Sequence, residues 1–293
     1  MKTFWSLEPF HQDNKRLKGM YELLKAISGA KSNITAGFVV TRTENELNLA
    51  FNVEAHERFT KYPRELLKKK LVKANASLPD KNIVVYDYPT YSTTKAADKL
   101  LELAKKKNAK VIALYTHALT GFKRLLMGSF AETLLHRSKT HLLIVTPECS
   151  FSKSVKNILF ASDFERHTKD NVLFLLDLAK TLKAKLTILH VGELIHDSTF
   201  DGESAEARAY HRNVHTVSQW IDHEANKKGV QCEVKISTEI APIDELILKE
   251  AKKSDADLVA TAAKVGPLAA LMGGSITRNV VRASTKPVLV LKN

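Results

Sequence analysis

Leu125-Leu126-Met127-Gly128-Ser129 returns later in the chain as Ala270-Leu271-Met272-Gly273-Gly274-Ser275. Placing Gly128-Ser129 on Gly274-Ser275 sets an offset of 146 residues. The same offset carries the apolar run His141-Leu142-Leu143-Ile144-Val145 onto Pro287-Val288-Leu289-Val290-Leu291. A self-similarity of this length, ungapped and with its parts in order, marks an internal duplication.

Working outward, the same order of elements is found in both halves. Short apolar runs at 3–7 and 157–161 are followed closely by acids, Glu8 and Asp163. Leu17, Tyr21, Leu24 and Ile27 then keep the three-and-four spacing of one helix face, as do Val172, Leu175, Leu176 and Ala179. The runs at 37–41 and 186–191 are apolar and β-branched, which suits strands covered on both faces. Long charged helices are expected at 53–75 and 203–228, third strands at 82–86 and 233–237, further helices at 94–107 and 242–253, and fourth strands at 110–115 and 257–262. Strict alternation of strand and helix predicts parallel strands with right-handed crossovers. The fold class is thus α/β, two tandem doubly wound parallel-sheet domains. Their expected bounds are 1–148 and 153–293, joined by a short polar stretch around Pro147, Cys149 and Ser152.

Bulk composition agrees with two globular units. A chain of 293 residues exceeds one average domain, and 44% hydrophobic with 26% charged residues is ordinary for folded proteins. No apolar run approaches the length of a membrane span, and the first twenty residues lack the pattern of a signal peptide, so the expected location is the cytoplasm. Cys149 and Cys232 read as reduced thiols without a special role. The net charge of +13 divides into +11 for residues 1–150 and +2 for 151–293. The densest runs, Lys68-Lys69-Lys70 and Lys105-Lys106-Lys107, read as solvated helix faces, because no aromatics are interleaved with them. Neither nucleic acid nor a membrane is an expected partner, although weak, salt-sensitive nucleic-acid association through the first half is kept as an alternative.

The stretch Thr116-His117-Ala118-Leu119-Thr120-Gly121-Phe122-Lys123-Arg124-Leu125-Leu126-Met127-Gly128-Ser129 resembles the signature of the universal stress protein family, and the likeness extends over both halves. The resemblance implies an adenine nucleotide alpha-hydrolase-like fold in each half. In nucleotide-binding members a strand ends at a glycine, a second glycine follows, and a Gly-Ser pair opens the next helix, where bare backbone N–H groups receive phosphate. Laid on the first half, that pattern meets Tyr115 and Ala118 in place of the leading glycines and keeps only Gly128 and Ser129, with Glu8 where an aspartate meets adenine. The second half keeps Asp163, Val191, Gly274 and Ser275, with Thr261 and Lys264 in place of the leading glycines. The resemblance therefore implies a degenerate site for ATP or AMP, with the second half as its place. Beside this stand plainer readings: Asp163, Ser129 and Ser275 as helix caps, and Gly128 and Gly274 as tight-turn residues.

Other chemistries find little support. There is no Walker loop and no Gly-x-Gly-x-x-Gly after a strand. His167, His190 and His196 with Asp163 and Asp197 match no compact ligand spacing, and His211 with His215, four apart on one helix, lack a third ligand. No catalytic or metal residue is assigned, and at most weak ATP hydrolysis is expected. The resemblance implies a tandem protein of bacterial type acting as a regulatory or protective factor under stress, with a ligand-free protein-interaction scaffold as the alternative. It also implies pairing between the halves through 142–145 and 288–291, while association of two chains and the identity of a protein partner stay open.

Overall fold

The computed structural model describes residues 1–10, 16–43, 61–116, 129–165, 168–192, 205–263 and 274–292. The first half runs β1 (Thr3–Ser6), α1 (Leu17–Ser28), β2 (Ile34–Val40), α2 (Lys61–Lys73), β3 (Ile83–Asp87), α3 (Thr93–Lys106), β4 (Val111–Tyr115), α4 (Ser129–Arg137) and β5 (His141–Val145). The second repeats the order with β6 (Asn157–Ala161), α5 (Thr168–Leu182), β7 (Lys185–Val191), α6 (Ala205–Lys228), β8 (Cys232–Ser237), α7 (Ile243–Lys253), β9 (Leu258–Ala263), α8 (Gly274–Ala283) and β10 (Val288–Lys292). Of the helices expected at 53–75 and 203–228, the parts at 53–60 and 203–204 lie outside the described residues.

The duplication is written into the helix ends. In each half three helices stop at a residue in the left-handed region, at matching places: Gly29 and Lys183, Asn75 and Gly229, Asn108 and Asp255. That conformation turns the chain back toward the sheet and frees the next amide to satisfy a helix carbonyl. Ala109 N–H donates to Ala104 O at 3.0 Å, and Ala256 N–H donates to Ala251 O at 2.9 Å. The helices α4 and α8 stop differently but again alike. Ser138 and Ser284 donate their hydroxyls to the carbonyls of Thr140 and Lys286, at 2.6 and 2.8 Å, and accept the amides of those same residues.

The strands order as β3-β2-β1-β4-β5-β10-β9-β6-β7-β8 in one sheet. Within each half every pairing is parallel; the halves meet where β5 runs antiparallel to β10. Leu143 stands opposite Leu289, with Ile144 opposite Val288 and Leu142 opposite Val290, so a local two-fold axis passes between the two leucines. Alternate residues of these strands feed two cores that each extend through both halves. Leu143, Val145, Leu289 and Leu291 join the layer under α1, α2, α5 and α6. Leu142, Ile144, Val288 and Val290 join the layer under α3, α4, α7 and α8.

Polar groups fix the seam. The Arg282 guanidinium donates to Glu132 at 2.8 Å across α4 and α8. Lys292 N–H donates to His141 Nδ1 at 3.0 Å, which makes Nδ1 an acceptor and places the ring proton on Nε2. Lys292 Nζ donates to the carbonyl of Leu135. Burial, with Lys110 and Lys292 nearby, holds the His141 imidazole down at about 4, and burial lowers the Lys292 ammonium to about 8. The connecting stretch packs back onto the second half, where Ser150 N–H donates to Thr285 O at 2.8 Å.

Two outcomes follow from this seam. Calorimetric unfolding is expected to show one transition, because both cores cross it; Leu143→Ala and Leu289→Ala are each expected to cost about 2–5 kcal/mol, and their effects to be non-additive because the two side chains share one site. Two separate melting transitions in the parent protein would contradict the shared core. The second concerns pH. His141 is depressed in the folded state, so between about pH 6.5 and 4 the unfolded chain binds the extra proton. Stability is therefore expected to fall as pH drops through that window, and His141→Gln is expected to flatten the fall, as read by melting temperature against pH.

Candidate functional site

In a parallel sheet all strands end on one side, and a crevice opens where neighbouring strands have their connections on opposite faces. Here β1 lies between β2 and β4, and β6 between β7 and β9. Each half therefore has one such crevice, and the pairing registers define which residues correspond. Ser6 stands opposite Gly37 and Leu114; Ala161 stands opposite Leu189 and Thr261. Two residues on from these strand positions, Glu8 matches Asp163 and Val39 matches Val191, while Phe38 matches His190 and Leu114 matches Thr261. The strand register thus makes Ala262, not Thr261, the counterpart of Tyr115.

In the first half the crevice is a cavity of about 330 Å³. Strand ends supply Glu8, Phe38, Val39, Leu114 and Tyr115; α3 supplies Ala96 and Leu100; Ser129 and Phe130 come from the start of α4. Lys70 of α2 also lines it and is only 7% exposed. The reading of the lysine run as a solvated face therefore fails at Lys70. The buried residues of α2 are Pro63, Leu67, Lys70 and Leu71, so Lys70 lies on the same side of the helix as the leucines that join the core. Lys68 does lie toward solvent and pairs with Glu65 and Asp80.

The corresponding strand ends of the second half carry more polar side chains. Asp163 is exposed, and its Oδ1 accepts the N–H of Glu165 at 3.0 Å, so it orders the turn ahead of α5. Phe164 is left-handed at φ 58° and turns back to stack on His190 at 4.4 Å, with the rings 7° apart. His190 is buried; its Nδ1 lies 3.0 Å from the Ser162 carbonyl, which can only accept, so Nδ1 carries the proton. Its Nε2 then accepts the Tyr210 hydroxyl at 2.8 Å. His190 is a hydrogen-bonded structural residue.

Thr261 is 3% exposed, and among the described residues its Oγ1 has no hydrogen-bond partner. It occupies the position at which Leu114 lines the first-half cavity. The neighbouring Thr277 of α8 donates its hydroxyl to Ala262 O at 3.2 Å, which docks the start of that helix against the end of β9. Val191 is half-buried at the end of β7, and Gly274 and Ser275 open α8. The strand register thus places Asp163, Val191 and Thr261 at or just past the carboxyl ends of the neighbouring strands β6, β7 and β9, with α8 following β9. Gly128, Ala118 and Lys264 lie outside the described residues, as do His167, His196 and Asp197.

Among the described residues no group of three or more His, Cys, Asp or Glu could hold a metal ion, and no helix is long and apolar enough to cross a membrane. Burial pushes the Cys149 thiol up and the Cys232 thiol up to about 12, so neither is poised as a nucleophile. Sequence reasoning missed Lys70, Phe38 and Leu100 as cavity residues. The one signal in the sequence for the first of these is the spacing of Leu67 and Leu71, which brackets Lys70 on one helix face.

Comparison with known proteins places this geometry. The profile of the universal stress protein family matches twice, over residues 37–146 and 154–292. No match is found among curated proteins. A universal stress protein from Archaeoglobus fulgidus DSM 4304 superposes with a TM-score of 0.70 at 19% identity, covering 99% of this chain and 98% of its own. A protein of unknown function from Pseudomonas aeruginosa PAO1 superposes with a TM-score of 0.62 at 17% identity, covering 100% of this chain and 92% of its own. At these identities the superpositions speak for the fold alone. With the family profile matched in both halves, over most of the sequence, the chain belongs to the universal stress protein family as a tandem member.

Proposed function

We propose that this tandem protein is a cytoplasmic stress-response factor that binds an adenine nucleotide, ATP or AMP, in the crevice of its second half, and regulates or protects through that binding without turning substrate over. The observation that supports the reading is the Thr261 hydroxyl, buried near the end of β9 without a partner among the described residues. An unsatisfied buried hydroxyl costs about 1–3 kcal/mol, and a ligand that bonds to it recovers part of that cost. Asp163 stands at the open end of β6, where the carboxylate can accept from an adenine amino group. The first amides of α8, opened by Gly274 and Ser275, offer an anion site for phosphate. Val191 supplies backbone at the end of β7.

A second reading, a ligand-free interaction scaffold, draws on Ile240, 86% exposed, with Ile236 and Ile243 also exposed beside it. One experiment separates the two. Under nucleotide binding, the melting temperature is expected to rise with ATP or AMP concentration by mass action. Thr261→Val, which keeps the shape and removes the orphan hydroxyl, is expected to leave the ligand-free protein at least as stable and to cut the nucleotide shift severalfold. Asp163→Ala is expected to reduce it as well, and mass spectrometry of natively purified parent and Asp163→Ala protein is expected to recover nucleotide from the parent only. A parent protein with no thermal response and no released nucleotide would favour the scaffold.

A further inference from the structure

The two crevices share one backbone frame and have opposite chemistry. Where the second half has Thr261 the first has Leu114, and where the second has His190 the first has Phe38, both by strand register. With Leu17, Val39, Leu100 and Phe130 these side chains form an apolar wall around about 330 Å³, at the lower end of the usual range for small-molecule sites. A triphosphate has nothing to gain from such a wall, and Leu114 leaves no hydroxyl for a nucleotide to satisfy. The cavity is not wholly apolar. Lys70 is 7% exposed and contributes to its lining, with the hydroxyl-bearing Thr116 and Ser129 near the ends of β4 and α4.

A buried ammonium bordering an apolar cavity selects ligands with a single anionic head and an apolar body. The ammonium has three donors, so it can take a carboxylate oxygen in addition to the interaction it already makes. Charge-assisted bonds of this kind are about twice as strong as neutral ones. The surrounding half carries the +11 share of the net charge, which draws anions toward it. Glu8, half-buried on the lining, repels any anion, and the penalty grows with ligand charge, so a monoanion held by Lys70 is disfavoured far less than a polyanion. We infer that the first-half crevice binds a small apolar monocarboxylate, with its chain or ring against Phe38, Leu100 and Leu114 and its carboxylate at Lys70. This site is independent of the nucleotide reading of the second half.

The test uses the full chain and 1-anilinonaphthalene-8-sulfonate, an apolar anion that fluoresces when shielded from water, with decanoate, decanol, decyltrimethylammonium and ATP as competitors. One dye site per chain is expected. Decanoate should displace the dye about tenfold better than decanol, a difference of about 1.4 kcal/mol, and decyltrimethylammonium should not compete. Lys70→Met, which keeps the length of the side chain, should abolish the preference for decanoate over decanol. Leu114→Trp fills the cavity and should remove the dye site; should that variant fail to fold, Ala96→Phe fills it from α3. Thr261→Val should leave dye and decanoate binding unchanged, which separates this site from the nucleotide site. A dye site that survives both filling variants in folded protein, displacement by ATP ahead of decanoate, equal competition by decanol and decanoate, or no dye or decanoate binding at all would overturn the inference.

Discussion

Residues 142–145 and 288–291 are buried on both faces, so the open edge of each strand would present water with nothing but backbone N–H and C=O groups beside a continuous apolar surface. Such an edge has to be paired, covered or charged. Here each strand covers the other, Leu143 against Leu289, and the pairing turns two five-stranded sheets into one of ten. Everything else at the midline follows from that contact. The helices α4 and α8 are brought close enough for Arg282 to reach Glu132, and His141 comes against Phe174 of the other half with ring centres 4.4 Å apart. The outer edges, β3 and β8, are handled differently. On β8 the charged Glu233 and Lys235 stand level with Val288 and Val290 of the midline strand β10, and ion pairs to Lys185 and Glu250 hold them.

A fixed frame with two crevices permits divergence between them. The strand positions that meet at the centre of each half have the same backbone neighbours, yet one pair is Phe38 with Leu114 and the other His190 with Thr261. In the second half the position equivalent to Phe38 is held by His190, which stacks on Phe164 and is hydrogen-bonded at its two ring nitrogens to the Ser162 carbonyl and the Tyr210 hydroxyl. The polar side chains at those strand ends include Asp163 and Thr261. Duplication therefore supplies two sets of strand ends whose side chains have been free to change separately, because the sheet that supports them is stabilised by the seam and the two shared cores.

The charge asymmetry fits the same division. Most of the positive excess lies in the half with the apolar cavity, and one of its lysines is drawn inward to line that cavity, while its neighbour Lys68 stays outside, paired with acids of its own surface. The composition of a lysine run says nothing about which member turns in. Only the helix phase, set here by Leu67 and Leu71 packing on the sheet, decides it.

The sequence by itself determined the duplication, the alternation of strand and helix, and the parallel order within each half, because these depend on local periodicity and on a repeat that needs no coordinates to be seen. The repeat also located Asp163 and Val191 at strand ends, but for Thr261 counting along the chain was off by one position. What it could not supply was the strand register, which moved the counterpart of Tyr115 from Thr261 to Ala262, and the burial of Lys70. Nor could it show that the Thr261 hydroxyl is without a partner among the described residues, or that Phe38 and Leu114 face a common space. These are distances between residues far apart in the chain, and they exist only once helices and strands have packed, when the depth of each side chain is fixed by its neighbours and no longer by its own character.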